Sequence, residues 1–196
     1  MIKFIKVTTV LLAFGLAVPQ SAHAFGPAGF AAGIGKSNPR AFINTKGTTL
    51  APFAFVKYCV NNPRDCSTGS EREFSITNAR MRQLSRVNAS VNRSLMPVND
   101  KKGLDVWQAG GKSGDCEDFA LTKRRKLIQL GWPSNLMRMA VVRTRSGEGH
   151  AVLVVKTQKG DLVLDNRFNS IRNWRQTDLR WVKIQSGDNP RIWYNL

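Results

Sequence analysis

The chain has 196 residues, of which 42% are hydrophobic, and this is enough for one domain with a substantial core. Its 30 Lys and Arg residues against 13 Asp and Glu give a formal net charge of +17, which either favours anionic surroundings (membrane headgroups, cell-wall polymers, acidic proteins) or serves solubility alone. Beyond the N-terminal segment no stretch approaches the ~18 consecutive apolar residues that a spanning helix needs, so we expect a soluble mature chain.

Residues 1–24 have the layout of a secretory signal peptide. Two lysines precede an uncharged apolar stretch at residues 10–18, and Ala-His-Ala at residues 22–24 is a typical cleavage site. We expect an exported mature chain that begins near Phe25, with an uncleaved membrane anchor as the alternative. Export argues against a nucleic-acid partner for this basic chain.

Residues 25–50 are rich in Gly, Ala, Pro and Asn and show no periodicity. Such a composition predicts a flexible or loosely docked N-terminal arm. The main domain is then expected to occupy residues 51–196.

The three cysteines are predicted to have different states. Cys59 and Cys66 enclose the turn-forming sequence VNNPRD, and closely spaced cysteines of an exported chain usually form a disulfide bond. Cys116 is then the odd cysteine, which indicates either intermolecular pairing or a reactive thiol. A buried, inert thiol is the alternative, although Asp115 and Glu117 on either side of Cys116 do not favour it.

Two helices are predicted before the strands. Apolar residues recur at intervals of three to five over residues 75–95, with Arg and Asn on a face that we expect to be solvated. After a polar loop at residues 98–114, a second helix is expected to begin at Asp115, whose side chain could cap it, and to end at Gly131. Its basic run KRRK, residues 123–126, is also expected to face solvent.

The remainder of the chain is predicted to form strands. Short β-branched runs occupy residues 136–144, 150–158 and 161–166, and two further runs occupy residues 181–186 and 191–196. Helices followed by successive strands predict a single α+β domain with an antiparallel sheet.

Cys116, His150 and Asp165 could together form a catalytic site. A thiol attacks as its thiolate, and a helix N-terminus or a neighbouring imidazolium lowers its pKa. His150 opens one predicted strand and is the only histidine outside the signal peptide, and Asp165 ends the next strand. A carboxylate in that position can hold the imidazole in its productive tautomer.

The strand spacing poses a difficulty for this site. With a tight turn at Lys159–Gly160, His150 would face Asn169, and Asp165 would lie about 13 Å farther along the strand. We therefore predict a bulge or a longer loop near residues 157–160.

The segments GDCEDFALTKRRKLIQLGWP and HAVLVVKTQKGDLVLDN resemble the bacterial transglutaminase-like cysteine proteases of the periplasmic LapG type, over residues 76–196. The resemblance implies a papain-like or transglutaminase-like α+β fold. It also implies that Cys116 is the nucleophile, His150 the general base and acid, and Asp165 the orienting carboxylate.

The same resemblance implies a cellular role. Proteases of this type cleave large surface adhesins near a double-alanine site, and an inner-membrane receptor for cyclic-di-GMP sequesters them when the messenger is abundant. The expected partners of this chain are therefore a protein substrate at the cell surface and such a receptor. The expected location is the periplasm.

The acidic residues around Cys116 should raise the pKa of its thiol, the wrong direction for catalysis. They could simply stabilise the N-terminus of the helix. Alternatively they could bind a calcium ion, which takes carboxylate oxygens. The family resemblance implies calcium, with Asp115 and Glu117 as ligands and Asp118 as a further candidate.

The backbone N–H of Cys116 is a natural oxyanion donor, and a second donor could come from Trp107 or Gln108. Two other functions fit the same residues. One is acyl transfer on the same site, by transglutamination or amidase action on cell-wall peptides. The other is a non-catalytic binding module that keeps the fold, which an intact Cys, His and Asp set does not favour.

Overall fold

A computed structural model describes residues 41–69 and 74–196 of the chain. The predicted signal peptide at residues 1–24 and most of the predicted arm lie outside the described residues. Where the chain is described, no helix is long and apolar enough to cross a membrane.

Three α-helices precede the main run of strands: α1 (Phe53–Asn61), α2 (Asn78–Ser94) and α3 (Cys116–Gln129). The helix predicted over residues 75–95 corresponds to α2, which begins later because Thr77 Oγ1 caps it by accepting the N–H of Arg80 at 3.2 Å. The predicted end of α3 is confirmed, since Gly131 adopts φ 80° and Trp132 N–H donates to the Leu127 carbonyl at 3.0 Å.

A seven-stranded sheet forms the other layer, and every pairing in it is antiparallel. A separate parallel pair joins two short strands beside α3. The predicted α+β class is confirmed. The strands of the main sheet are β1 (Thr48–Thr49), β4 (Met137–Arg143), β5 (Gly149–Thr157), β6 (Gly160–Leu164), β7 (Arg172–Asn173), β8 (Arg180–Gln185) and β9 (Trp193–Asn195), in the order β1-β9-β8-β4-β5-β6-β7, and the separate pair is β2 (Met96–Pro97) with β3 (Ser113–Gly114).

Both faces of the sheet are buried along its centre. On β5, Leu153 and Val155 point into the core shared with the helices, whereas Val152 and Val154 point into a second core on the opposite face. Burial on both sides explains why β5 reads as a continuous apolar run rather than an alternating one.

The prediction of a loosely docked arm does not hold for residues 41–50. β1 pairs with β9, and Ile43 N–H donates to Asp161 Oδ2 at 2.8 Å. Asp161 is buried and also forms an ion pair with Arg138 at 2.6 Å. The backbone of this segment therefore has partners in the sheet that its Gly- and Pro-rich composition did not suggest.

Cys59 and Cys66 form a disulfide bond that links α1 to the 3₁₀ turn Pro63–Cys66. Arg125 holds this turn against α3, because its Nε donates to Asp65 Oδ2 at 2.7 Å. Arg124 donates to the Asp65 carbonyl and, through Nε, to the Met137 carbonyl at 3.1 Å. The disulfide-linked segment is thus fixed to the helix that carries Cys116.

The prediction that residues 123–126 form a solvated face is wrong. Lys123 is 0% exposed and Arg124 is 4% exposed. These residues are buried because α3 packs against β5 on one side and against α2 on another. A run of charged residues in the sequence therefore does not show which side of this helix faces solvent.

The burial of the Lys123 amine lowers the free energy of unfolding by an amount that we expect to be measurable. Its Nζ has no hydrogen-bond partner among the described residues, and desolvation lowers the pKa of its amine to about 7, although the charge of Asp165 opposes the shift. Between pH 7 and 9.5 the unfolded chain therefore holds a proton that the folded chain has released. The contribution of Lys123 to the free energy of unfolding should therefore rise with pH across this window, by about 1.4 kcal/mol per pH unit at most.

Substitution Lys123→Met should remove this slope and stabilise the protein at pH 7 by a few kcal/mol, on the order of what the lowered pKa implies. Denaturant unfolding at several pH values measures both effects. Lys126→Met, on the same helix but partly exposed, is the control and should keep the slope. An unchanged slope in Lys123→Met would contradict this assignment.

Candidate active site

Three elements of the fold place the predicted catalytic residues at one end of the sheet. Cys116 is the first residue of α3, His150 is the second residue of β5, and Asp165 directly follows β6. The start of α3 meets the start of β5, since Cys116 Sγ accepts the backbone N–H of Ala151.

His150 and Asp165 are hydrogen-bonded and buried. His150 Nε2 lies 2.9 Å from Asp165 Oδ1, and the two residues are 8% and 5% exposed. A carboxylate at this distance selects the tautomer with a proton on Nε2, which leaves Nδ1 as an acceptor.

Arg167 fixes the carboxylate from its other side. The backbone N–H of Arg167 donates to Asp165 Oδ1 at 2.9 Å. The Arg167 guanidinium donates to Asp165 Oδ2 through Nη2 at 2.8 Å and through Nε at 3.0 Å. Burial by itself would raise the pKa of Asp165, but the hydrogen bonds from His150 and Arg167 outweigh burial and hold this pKa well below its usual range. Asp165 is therefore held as a carboxylate in a fixed orientation.

The hairpin that joins these residues differs from the prediction. Thr157 pairs with Gly160, so the turn has two residues, and the β5–β6 pairing contains neither a bulge nor a longer loop. Continued past the end of β6, this register sets Asp165 opposite Val152, with His150 as its diagonal neighbour on the same face. Diagonal pairs lie about 7–8 Å apart at Cβ, within reach of an imidazole. The prediction was wrong because it placed the turn one residue late and considered only directly opposed pairs.

Cys116 Sγ lies against the residue that follows His150. The sulfur accepts the backbone N–H of Ala151 at 3.3 Å. This N–H is available because β6 ends opposite Leu153 and does not extend to Ala151. The thiol donates its proton to Glu117 Oε2 at 3.0 Å. Burial, followed by the charge and hydrogen bond of Glu117, raises the pKa of the Cys116 thiol above its usual range.

An acidic cluster lies beside this thiol. Asp100, Asp105 and Glu117 each present a carboxylate oxygen, and the three oxygens lie within 4.8 Å of one another. Burial raises the pKa of Glu117 to about 8, with a smaller contribution from the charge of Asp115. Asp115 Oδ1 is also buried and has no hydrogen-bond partner among the described residues. Glu117 is buried, Asp100 is half-buried and Asp105 is exposed. Carboxylate oxygens gathered this closely at the edge of the protein fit a hard cation such as calcium.

This cluster differs from the predicted ligand set of Asp115, Glu117 and Asp118. Asp115 occupies the N-cap position of α3 but makes no capping hydrogen bond, contrary to prediction. Asp100 and Asp105 were missed, although their presence in the polar loop that leads into Cys116 was a signal that could have found them. Their side chains also shape this loop, because Asp100 Oδ2 accepts Val106 N–H at 2.6 Å.

Asp118 has a different environment from the other acidic residues. Its Oδ1 accepts the backbone N–H of Gln108 at 2.8 Å, and its Oδ2 accepts Gln108 Nε2 at 3.4 Å. Burial raises the pKa of Asp118 to about 6. The structure thus uses Asp118 to hold the loop before Cys116 rather than to complete the acidic cluster.

Two asparagines of α2 support the segment after Asp165. Asn92 Nδ2 donates to the Asp165 carbonyl at 3.2 Å, and Asn88 Nδ2 donates to the Phe168 carbonyl at 3.0 Å. The prediction that the Asn residues of this helix face solvent is wrong for Asn88, which is 0% exposed. Side-chain amides in this position replace the ladder hydrogen bonds that the chain loses where β6 ends.

Comparisons with known proteins identify a matching family and similar solved structures. The sequence model of the bacterial transglutaminase-like cysteine proteinases (BTLCP) matches residues 45–196. A solved structure of calcium-bound LapG from Legionella pneumophila is similar, with 24% sequence identity over 61% of this chain and 71% of that chain and a TM-score of 0.51. Another structure of Legionella pneumophila LapG has 25% identity over 61% of this chain and 69% of that chain, also with a TM-score of 0.51.

No curated protein matches this chain. The family match extends over well more than half of the sequence and includes both α3 and the β5–β6 hairpin. The chain belongs to the bacterial transglutaminase-like cysteine proteinase family and is a cysteine protease.

Proposed function

We propose that the chain is an exported, calcium-dependent cysteine endopeptidase that uses Cys116, His150 and Asp165 as its catalytic triad. The observation that carries this proposal is the hydrogen bond from the N–H of Ala151 to the Cys116 sulfur, at the residue that directly follows His150, whose Nε2 is held by Asp165. This arrangement leaves His150 Nδ1 as the nitrogen that can take the thiol proton.

The reaction proceeds through an acyl-enzyme. His150 Nδ1 accepts the proton of Cys116, and the thiolate attacks the carbonyl carbon of the scissile peptide bond. The tetrahedral intermediate collapses when the protonated imidazole donates to the leaving amine, which breaks the C–N bond and leaves a thioester. A water molecule, deprotonated by the same imidazole, then hydrolyses the thioester and restores the thiol.

Two donors are proposed for the oxyanion. The backbone N–H of Cys116 has no intrahelical partner, because Cys116 is the first residue of α3. Gln108 Nε2 is the second, since its hydrogen bond to Asp118 is long, at 3.4 Å, and uses only one of its two hydrogens. The indole of Trp107 is less suited, because its Nε1 donates to Asp105 at 2.9 Å.

Calcium fits the acidic cluster and would be held by Asp100, Asp105 and Glu117, with Asp115 beside them. Bound there, the ion supplies positive charge that offsets the carboxylates next to the thiol. Glu117 is central to this proposal, because the oxygen it would give to a cation belongs to the carboxylate that now accepts the thiol proton. As a ligand of such a cation, Glu117 would no longer compete with His150 for that proton.

The proposed substrate is a large cell-surface adhesin that is cleaved near a double-alanine site. The proposed location is the periplasm, and the proposed regulator is an inner-membrane receptor for cyclic-di-GMP. The resemblance to LapG-type proteases supports these three points, and the signal-peptide layout of residues 1–24 supports export.

A cleavage assay tests the proposed activity. The mature protein is incubated with an adhesin fragment that contains a double alanine, in the presence of calcium and a labelled amine. We expect two fragments with a new C-terminus at the alanine pair, and a loss of at least about 10³-fold in rate for Cys116→Ser and His150→Ala.

The matched substrate control replaces the alanine pair with a bulky pair, and it should remain intact. Incorporation of the labelled amine without cleavage would instead indicate a transglutaminase. An intact fragment with no amine incorporated would leave a binding module as the function and contradict the proposed protease activity.

The calcium proposal predicts a specific binding defect. Asp105→Asn removes one anionic oxygen from the cluster and should weaken calcium binding by about tenfold or more, since affinity follows the number of charged ligands. Isothermal titration calorimetry on the chelator-treated protein measures this change. Asp188→Asn, at an exposed residue outside the cluster, should bind as the unmodified protein does. Equal affinities for Asp105→Asn and the unmodified protein would exclude this site.

A further inference from the structure

The outer face of α1 is apolar where a surface helix is normally polar. Its inner face contributes four residues to the helix-side core. On its outer face Phe53 is 82% exposed, Val56 is 44% exposed and Val60 is 74% exposed, and their spacing of three and four residues aligns them in one stripe. The four residues of the inner face are Ala54, Phe55, Tyr58 and Cys59.

Leu50, in the chain segment that enters α1, is also apolar and is 85% exposed. We call these four residues, Leu50, Phe53, Val56 and Val60, the α1 ridge. A helix that is apolar on both sides usually has a partner on both sides. Contiguous exposed apolar side chains of this size mark interaction sites.

The surroundings of the α1 ridge are cationic. Residues 41–64 contain Lys46, Lys57 and Arg64 and no acidic residue. Lys57 lies on the outer face of α1 between the ridge residues, and Lys183 reaches the base of the ridge, where its Nζ donates to the Leu50 carbonyl at 2.9 Å.

Acidic charge next to the ridge is neutralised. The first acidic residue after this segment, Asp65, is ion-paired with Arg125 at 2.7 Å and accepts the hydroxyl of Tyr58. Lys46 Nζ donates to the Leu196 oxygen at 3.1 Å, which leaves Lys57 and Lys183 as the positive charges closest to the protruding apolar side chains, on a chain of net charge +17.

We propose that the α1 ridge docks this protein on the surface of a membrane rich in anionic phospholipid. Interfacial helices bind in this way, with apolar side chains inserted at the headgroup boundary and Lys or Arg contacting lipid phosphates. A second copy of this chain is a poorer occupant, because two cationic ridges brought face to face repel each other.

Docking through the ridge also orients the active site. Phe55, on the inner face of α1, packs edge-on against Trp107 with ring centroids 5.7 Å apart. Trp107 belongs to the loop that leads into Cys116. The ridge and this loop are thus connected through a single layer of side chains, so membrane docking holds the active-site loop close to the membrane.

Vesicle co-sedimentation of the mature protein tests the proposal. We expect the protein to sediment with vesicles that contain phosphatidylglycerol, and to remain in solution with vesicles of phosphatidylcholine alone. The double substitution Phe53→Ser/Val60→Ser should reduce the partition coefficient by about tenfold or more. Lys57→Gln should reduce it less, and high salt should weaken the binding of every variant.

Leu130→Ser is the matched control, because Leu130 is 50% exposed at the end of α3 and lies outside the ridge, and it should bind as the unmodified protein does. The thermal midpoint of each variant confirms that it is folded. Equal binding of the ridge double variant and the unmodified protein would overturn the proposal, as would failure of the unmodified protein to sediment. Ridge-dependent binding to an acidic protein with no binding to vesicles would also overturn it, in favour of a protein partner.

Discussion

The carboxylate of Glu117 lies buried against the thiol of Cys116, and this contact sets the demands on the rest of the active site. Ionising both groups in a desolvated pocket is unfavourable in free energy, so the pKa values of the Cys116 thiol and the Glu117 carboxyl lie above their usual ranges. A cysteine protease needs the opposite for its thiol. In the proposed mechanism, a cation held by the oxygens of Asp100, Asp105 and Glu117 would compensate these carboxylates. On this account the acidic cluster is needed to activate the Cys116 thiol, and its role is not limited to stabilising the N-terminus of α3.

The fold positions the other active-site groups through the places where its strands and turns end. β6 stops before Ala151, which frees the N–H that holds the Cys116 sulfur. The segment after β6 is carried instead by side-chain amides of α2, which keeps Asp165 in place for His150. At the same time the disulfide-linked turn is tied to the helix of Cys116 by Arg125. Each of these contacts joins segments distant in sequence, so the site depends on the packing of both layers.

No local pattern predicted α1 or the two-residue strands of the fold. Local patterns were sufficient for α2, α3, the strands β4, β5, β6, β8 and β9 and the fold class, because apolar periodicity and turn residues act over short distances. They also singled out Cys116, His150 and Asp165, which the structure brings to one end of the sheet. The hairpin was less predictable, since an error of one residue in the turn shifts the pairing by two residues. The burial of Lys123 and the approach of Asp100 to Glu117 depend on tertiary packing, which charge and spacing in the sequence do not predict. Residues 41–50 were misjudged for the same reason, because their partners lie in β6 and β9.

The ultraviolet absorbance of the Cys116 thiolate, followed as a function of pH, tests the central claim most directly. Cys116 is the free cysteine of the protein, since Cys59 and Cys66 form a disulfide bond, and Cys116→Ser supplies the blank. The account predicts a high titration midpoint in chelator and a midpoint lower by more than about one pH unit in saturating calcium. The same shift should be lost in Asp105→Asn. Superimposable titration curves with and without calcium would contradict the account.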